Sequence, residues 1–217
     1  MSAHFHGRAH DLAEAARHCA ALEDAVRALR GEQLPLLTSW GQALAGLLPA
    51  GGRLLVAGNG GSAAQAQHLT AELVGRYRVE RPPFSALALH AETSALTAIG
   101  NDYGFEEVYA RQVSAHGRPG DVLILMSTSG RSPNLLRAAD AGRRSGLGVW
   151  AMTGPAPNPL AGRADETLAV ASGTTATVQE VHLTALHLVC EAFDAALARR
   201  TGGHAPSEDA RRAGEVA

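Results

Sequence analysis

Apolar residues in the first part of the chain recur at helical spacing, and then the pattern changes. Leu12, Ala16, Cys19, Leu22, Val26 and Leu29 stand three or four positions apart, the period of an amphipathic helix. The stretch from about Ala9 to Leu48 therefore reads as helical. "GEQLP", from Gly31 to Pro35, interrupts it. The interruption predicts two antiparallel helices, the second from about Leu34 to Leu48. Their apolar stripes need cover, and a partner subunit is one place to find it.

After "LPAGGR" short β-rich runs alternate with helical stretches. The strand candidates are Arg53 to Gly58, Ser85 to Leu89, Asp121 to Ser127, Gly148 to Thr153 and Glu166 to Ala171. Helix-like segments lie between them, at Ala63 to Val74, Glu92 to Ile99 and Asn134 to Ser145. A long last helix is predicted from about Val178 to Arg199. The strands are continuously apolar rather than alternating, as in a parallel sheet covered on both faces. Strands alternating with helices make a doubly wound α/β layer. The expected organisation is 1–50 for the N-terminal helices, 51–200 for the α/β unit, and 201–217 for a flexible tail rich in Gly, Pro and charge.

Composition narrows the function. With 46% hydrophobic and 18% charged residues, the 217-residue chain falls among globular proteins. A net charge of -2 argues against general nucleic-acid binding, which relies on basic patches. No contiguous apolar run reaches the length of a membrane span, and the first residues lack the apolar region of a signal peptide. A cytoplasmic setting is expected. Cys19 and Cys190 sit far apart in helical segments, and neither forms a CxxC pair. Both read as small buried hydrophobes. All 19 basic residues are arginine. Without lysine there is no Schiff base to a sugar carbonyl, no covalent pyridoxal phosphate and no Walker-A lysine. Any phosphate must be held by hydroxyls, backbone N–H groups or arginine.

In doubly wound sheets, ligands bind beyond the C-terminal ends of the strands. The first strand ends in "GNGGS", the third in "STSGRS" and the fourth in "TGPAPNP". Gly58, Gly60 and Gly61 allow close backbone approach, and Ser62 stands where the next helix starts. Ser127, Thr128, Ser129 and Ser132 add four hydroxyls, and Pro133 suits a first helical turn. Either loop alone is also readable as a tight turn with helix caps. Two at one sheet edge point to a phosphate clamp. Dinucleotide binding fits less well, because Glu92 is the only acidic candidate near the end of the second strand. His68 and Glu72 are one turn apart and share a helix face, either as a surface pair or as reactive groups beyond the clamp. The last helix carries Gln179, Glu180, His182 and His187. Gln179 and His187 lie about 12 Å apart along a regular helix axis, too far for one ion. The helix then starts after Gln179, or the two serve different sites or subunits. His182 reads as a core histidine.

Taken together, "GNGGSAAQAQHLTAELVGRY", "LTAIGNDYGFEEVYARQV", "GDVLILMSTSGRS" and "VQEVHLTALH" resemble the phosphoheptose isomerases, a family with a sugar-isomerase (SIS) domain. The motifs occur in order over about Leu34 to Leu197. The resemblance implies a flavodoxin-like five-stranded parallel sheet, a homotetramer with active sites at subunit interfaces, and zinc. It places phosphate-binding hydroxyls at Ser62, Ser127, Thr128, Ser129 and Ser132, with further substrate contacts at Asn59, Gly60, Gly61, Asp102 and Gln179. It makes Glu72 and His187 the catalytic pair, and His68, Glu72, Gln179 and His187 the zinc ligands. The implied reaction is aldose–ketose isomerisation of sedoheptulose 7-phosphate through an enediol. The chain departs from the family just before the last helix. Members read Asp-Arg-Ile-Gln-Glu or Ala-Arg-Ile-Gln-Glu, and this chain has Ala176, Thr177, Val178, Gln179 and Glu180. That difference bears on which sugar fits. A related binding module associated with a replication initiator, and non-catalytic phosphosugar binders, share the fold. The initiator-associated module lacks the glutamate and final-helix histidine that stand here as Glu72 and His187.

Overall fold

The chain begins with one long helical run: α1 (Ser2–Ala28), a π-helical turn (Leu29–Gln33) and α2 (Leu34–Leu47). The α/β part follows as β1 (Leu54–Gly58), α3 (Gly61–Val74), β2 (Ala86–Ala88), α4 (Thr93–Tyr103), a 3-10 turn (Phe105–Glu107), α5 (Ala110–His116), β3 (Val122–Ser127), α6 (Pro133–Arg144), β4 (Gly148–Thr153), β5 (Glu166–Ala169) and α7 (Thr175–Arg200). This computed structural model describes residues 2–202, with side chains from residue 12 onward. All but the first two residues of the tail expected over 201–217 lie outside the described residues.

The five strands form one all-parallel sheet in the order β2-β1-β3-β4-β5, as the alternating pattern predicts. The N-terminal helices are present, but the stretch 29–33 is a π turn with helical dihedrals at both flanks, not a loop. The break therefore offsets the helix register without turning the chain back. Two elements had no clear sequence signal, the 3-10 turn and α5. α7 begins three residues earlier than its apolar pattern indicates, capped by Thr174, whose hydroxyl accepts from Thr177 N.

Alternate residues of each strand face opposite sides of the sheet, so each face has its own core. Leu54, Val56, Ile124, Met126 and Met152 pack under α2, α3 and α7. Leu55, Ala57, Leu123, Leu125 and Ala151 pack under α5 and α6. On the first face α2 lies tight against α7. A Cβ on Gly41 would come within 2.5 Å of Ala192 Cβ and 2.7 Å of the α7 backbone. Trp40 stacks on Trp150, ring centroids 4.9 Å apart. By length and composition α7 alone among the described helices could cross a membrane. Here it is the central helix of this face and buries Val178, Val181, Ala185, Leu186, Val189 and Phe193. Cys190 is buried as expected, but Cys19 lies on the exposed side of α1. The α1 helix presents most of its described side chains to solvent, Cys19 among them.

Candidate active site

Helices α3 and α7 lie side by side and run in the same direction. At their N-terminal ends, the Gln179 carboxamide lies over Gly61, where a Cβ would come within 2.7 Å of Nε2. Gln65 Nε2 donates to Gln179 O at 2.6 Å. Further along, His68 meets His187, with their Nε2 atoms 2.9 Å apart. This parallel register follows from the sheet, since both helices pack on one face and each follows the C-terminal end of a parallel strand.

The two hydroxyl-bearing loops stand next to each other because β1 pairs with β3, Gly58 opposite Met126. Gly60 takes φ +55°, a backbone shape that favours glycine, and it caps α3 without a side chain. Ser62 is buried in the first turn of α3, and its N–H donates to Asn59 O at 3.0 Å. Ser127 Oγ and Ser132 Oγ are 3.3 Å apart, and Ser127 Oγ accepts from Gly130 N at 3.1 Å. Ser129 Oγ accepts from Arg131 N at 3.2 Å. Thr128 O accepts from Gly154 N, so the loop after β4 supports the loop after β3. Asn158 from that third loop fills the space under Gly130, whose φ is +62°.

A polar lock joins the two clamp loops. Asn59 and Asn134 exchange hydrogen bonds, Nδ2 to Oδ1 in each direction, at 3.0 and 2.9 Å. Tyr109 donates to Gly58 O at 2.6 Å, and its hydroxyl lies 3.3 Å from Asn59 Oδ1. Burial pushes the Tyr109 phenol up to about 12, so it stays a donor. Neither Asn134 nor Tyr109 stood out in the sequence. One sign was available: Asn134 is a polar residue on the α6 face that otherwise buries Leu135, Ala138, Ala139 and Ala141.

His68 and Glu72 lie about two to three turns beyond Ser62 on α3, where they meet His187 of α7. His68 Nε2 is 3.4 Å from Glu72 Oε1. One ligand atom each from His68, Glu72 and His187 falls within 4.8 Å of the others, so this trio could hold a metal ion. The Tyr77 ring stacks on His187 at 5.6 Å and 29°. Burial lowers the His187 pKa, as do His68 and Arg78 beside it, while Glu72 pulls it back up. His187 is thereby held toward its neutral form, with one ring nitrogen to donate and one to accept.

Two expected site residues stand apart from this trio. Gln179 is inside α7, not before it, so the axial distance from His187 applies. Within one chain Gln179 reaches the clamp end of α3 and not the His68–Glu72–His187 group. Asp102 is exposed near the end of α4 and accepts a hydrogen bond from Asn101 at 2.8 Å. α4 follows the edge strand β2, and its Leu96 and Ile99 pack against the core under α5 and α6, on the opposite sheet face from α3 and α7. His182 is a core histidine, as its apolar flanks suggest. It is fully buried, its Nε2 faces Thr153 O at 3.2 Å, and burial lowers its pKa to about 4. Ala176 is exposed. Thr177 is buried under the N-terminal cap of α7, its hydroxyl accepting from Thr174 Oγ1 at 2.8 Å.

Known proteins resemble this arrangement. Residues 12–154 match the SIS domain family. Phosphoheptose isomerase of Streptomyces coelicolor is 62% identical over 200 residues, covering 92% of this chain and 84% of the relative. Among solved structures, a phosphoheptose isomerase from Francisella tularensis superposes with a TM-score of 0.79 at 33% identity, covering 85% of this chain and 98% of that one. One from Neisseria gonorrhoeae gives 0.75 at 38% identity, covering 87% and 98%.

Proposed function

The chain belongs to the phosphoheptose isomerases of the SIS-domain family, and from that premise we propose that it interconverts D-sedoheptulose 7-phosphate and D-glycero-D-manno-heptose 7-phosphate. The observation that carries this reading is the placement of Glu72 and His187 on two parallel helices, with a hydroxyl-lined clamp at the N-terminal end of one of them.

The clamp receives the phosphate. Ser62, Ser127, Thr128, Ser129 and Ser132 supply hydroxyls, the positive end of the α3 dipole favours the anion, and Asn59, Gly60 and Gly61 form the loop floor. Along α3, His68 lies about 9 Å and Glu72 about 15 Å beyond Ser62, at the carbonyl end of an open-chain heptulose. Glu72 is the base that moves a proton between C1 and C2. Its Oε1 faces His68, which leaves Oε2 for the carbon-bound proton. His187, kept neutral by burial, exchanges a proton with O1 and O2 as the enediol forms and collapses. Tyr77 holds the His187 ring by stacking on it.

The donor set fits a divalent ion. Two imidazole nitrogens and a carboxylate oxygen converge, the nitrogen and oxygen ligands that zinc takes in sites with an open position. Zinc held by His68, Glu72 and His187 would polarise the substrate carbonyl and stabilise negative charge on the enediolate, and in that state Glu72 is a ligand and a poorer base. A share for Gln179 in that ion falls to a second copy of the chain, because its own Gln179 lies at the clamp end. The exposed α1 helix supports such an assembly, a homotetramer in this reading, with Asp102 likewise facing a neighbouring copy's sugar. A cytoplasmic setting with no nucleic-acid or membrane partner belongs to the same proposal.

Product analysis with sedoheptulose 7-phosphate, with and without a chelator, tests it. The expected result is the aldose 7-phosphate, formed more slowly after chelation. Binding of the sugar phosphate without conversion would favour a non-catalytic phosphosugar binder instead.

A further inference from the structure

We propose that Arg81 is a positioning residue that sets the spacing between Glu72 and His187. The inference rests on the isomerase reading above and adds a residue to it.

Arg81 lies in the segment between α3 and β2, and its side chain is 4% exposed. The guanidinium grips two helices at once. Nη2 donates to Glu72 O at 2.5 Å, the peptide carbonyl of the proposed base itself. Nη1 donates to Leu73 O at 3.0 Å and reaches Gly75 O and Pro82 O at 3.4 and 3.3 Å. Nε donates to Asp194 Oδ1 on α7 at 2.8 Å. The rings of Phe84 and Phe193 lie 5.6 and 5.2 Å from the guanidinium carbon and hold its plane.

The carbonyls of a last helical turn have no partner within the helix, and α3 has no basic residue of its own there. Arg81 fills that gap from outside the helix. Asp194 follows His187 by two turns and so stands on nearly the same face of α7. The contacts between α3 and α7 thus form three successive rungs: Gln179 on Gly61, His187 on His68, and Asp194 through Arg81 to Glu72 and Leu73. The last rung is the one built on a buried ion pair, and it adjoins the reactive trio. A buried ion pair is weak evidence of stability, because desolvation offsets the attraction, but its fixed geometry can impose register. Lysine could not replace it. A single ammonium lacks the planar fork that meets a carboxylate on one side and helix carbonyls on the other.

The phosphate clamp is at the opposite end of α3 and makes none of these contacts. A slip at the Arg81 rung therefore displaces the base relative to His187 while leaving phosphate binding intact. That pattern separates a positioning role from a merely structural one, since displacement of about 1 Å at a reacting centre can cost about 100-fold in rate.

The test compares the full chain with Arg81→Lys and Asp194→Asn, each checked for folding by circular dichroism, with sedoheptulose 7-phosphate as substrate. For Arg81→Lys the expected result is a kcat lower by roughly 10- to 100-fold with KM within about threefold of the parent. Asp194→Asn keeps the Oδ1 acceptor and is expected to lose less, about three- to tenfold in kcat, again with KM unchanged. A folded Arg81→Lys with parental kcat, or with its loss in KM alone, overturns the inference. If Arg81→Lys does not fold, Asp194→Asn decides by the same split: lower kcat at unchanged KM supports the inference, and parental kcat overturns it. A parent without turnover overturns the isomerase reading itself, and this inference with it, so the two failures are distinct.

Discussion

His68 and His187 face each other nitrogen to nitrogen, their Nε2 atoms 2.9 Å apart across the parallel pair α3 and α7. At that distance both cannot carry a proton on the facing nitrogen. They share one proton, or they share one cation. With Glu72 Oε1 3.4 Å from His68, the group is able to do either. Proton transfer and metal binding are alternative uses of the same atoms, and each can be tested alone.

The acid/base assignment makes the first prediction. Glu72→Gln keeps the shape but removes the base, and His187→Ala removes its partner. Each should lower kcat by about 100- to 10,000-fold, the range for general acid–base groups. KM should move little, because the clamp is intact. Steady-state kinetics on sedoheptulose 7-phosphate checks this, and near-parental turnover in both variants would remove the assignment.

Metal content makes the second. If the trio is a zinc site, the purified protein reconstituted with zinc should hold close to one ion per chain. His68→Ala should lose most of it, since a ligand set of three is reduced to two. Elemental analysis after gel filtration reads this without any assay of activity. Equal zinc in parent and variant would mean the ion sits elsewhere.

The polar lock between the clamp loops makes the third. Asn134→Ala leaves Asn59 without its reciprocal partner, an orphaned amide costing about 1–3 kcal/mol. If half of that appears in substrate binding, KM rises by about two- to tenfold while kcat stays near the parental value. This is the mirror image of the pattern expected at Arg81. A kcat loss at constant KM would show that Asn134 acts on the chemistry and not on the clamp.

Stability against pH makes the fourth. His182 has an ordinary pKa of 6.5, which burial lowers to about 4 in the folded chain. Above pH 6.5 the ring is neutral in both states and its contribution is complete. Between 6.5 and about 4 the unfolded chain binds a proton that the folded chain refuses, so stability falls as pH falls, by about 3 kcal/mol over the window. Denaturant midpoints at pH 7 and pH 4.5 should differ less in His182→Gln than in the parent. Equal pH losses in the two proteins would contradict the assignment.

Much of this was legible in the sequence. Apolar runs matched all five strands to within two residues; in β1, β3 and β4 burial on both faces leaves little room for polar residues, while the edge strands β2 and β5 are half-buried. Glycine and hydroxyl-rich turns marked the two loops that the β1–β3 pairing brings side by side, because turn composition is local. The contacts of Arg81, Asn134 and Tyr109 were not legible. Each depends on partners 50 or more positions away, or on several backbone carbonyls at once, and no spacing along the chain encodes them. Gln179 falls in between. Its axial distance from His187 was readable from helix geometry alone, and the structure resolves the choice by starting α7 before it. The π turn after Ala28 replaced an expected loop because Gly31 and Pro35 are compatible with a helix whose register slips by one residue.

The proposed chemistry turns on Glu72 moving a proton between C1 and C2 of the bound heptose phosphate. Running the reaction in D2O and locating deuterium in the product by NMR tests it most directly. The account expects the parent to form heptose 7-phosphate with solvent deuterium at C2, and Glu72→Gln to show neither conversion nor exchange while still binding the sugar phosphate. Deuterium exchange at the parental rate in Glu72→Gln would contradict it.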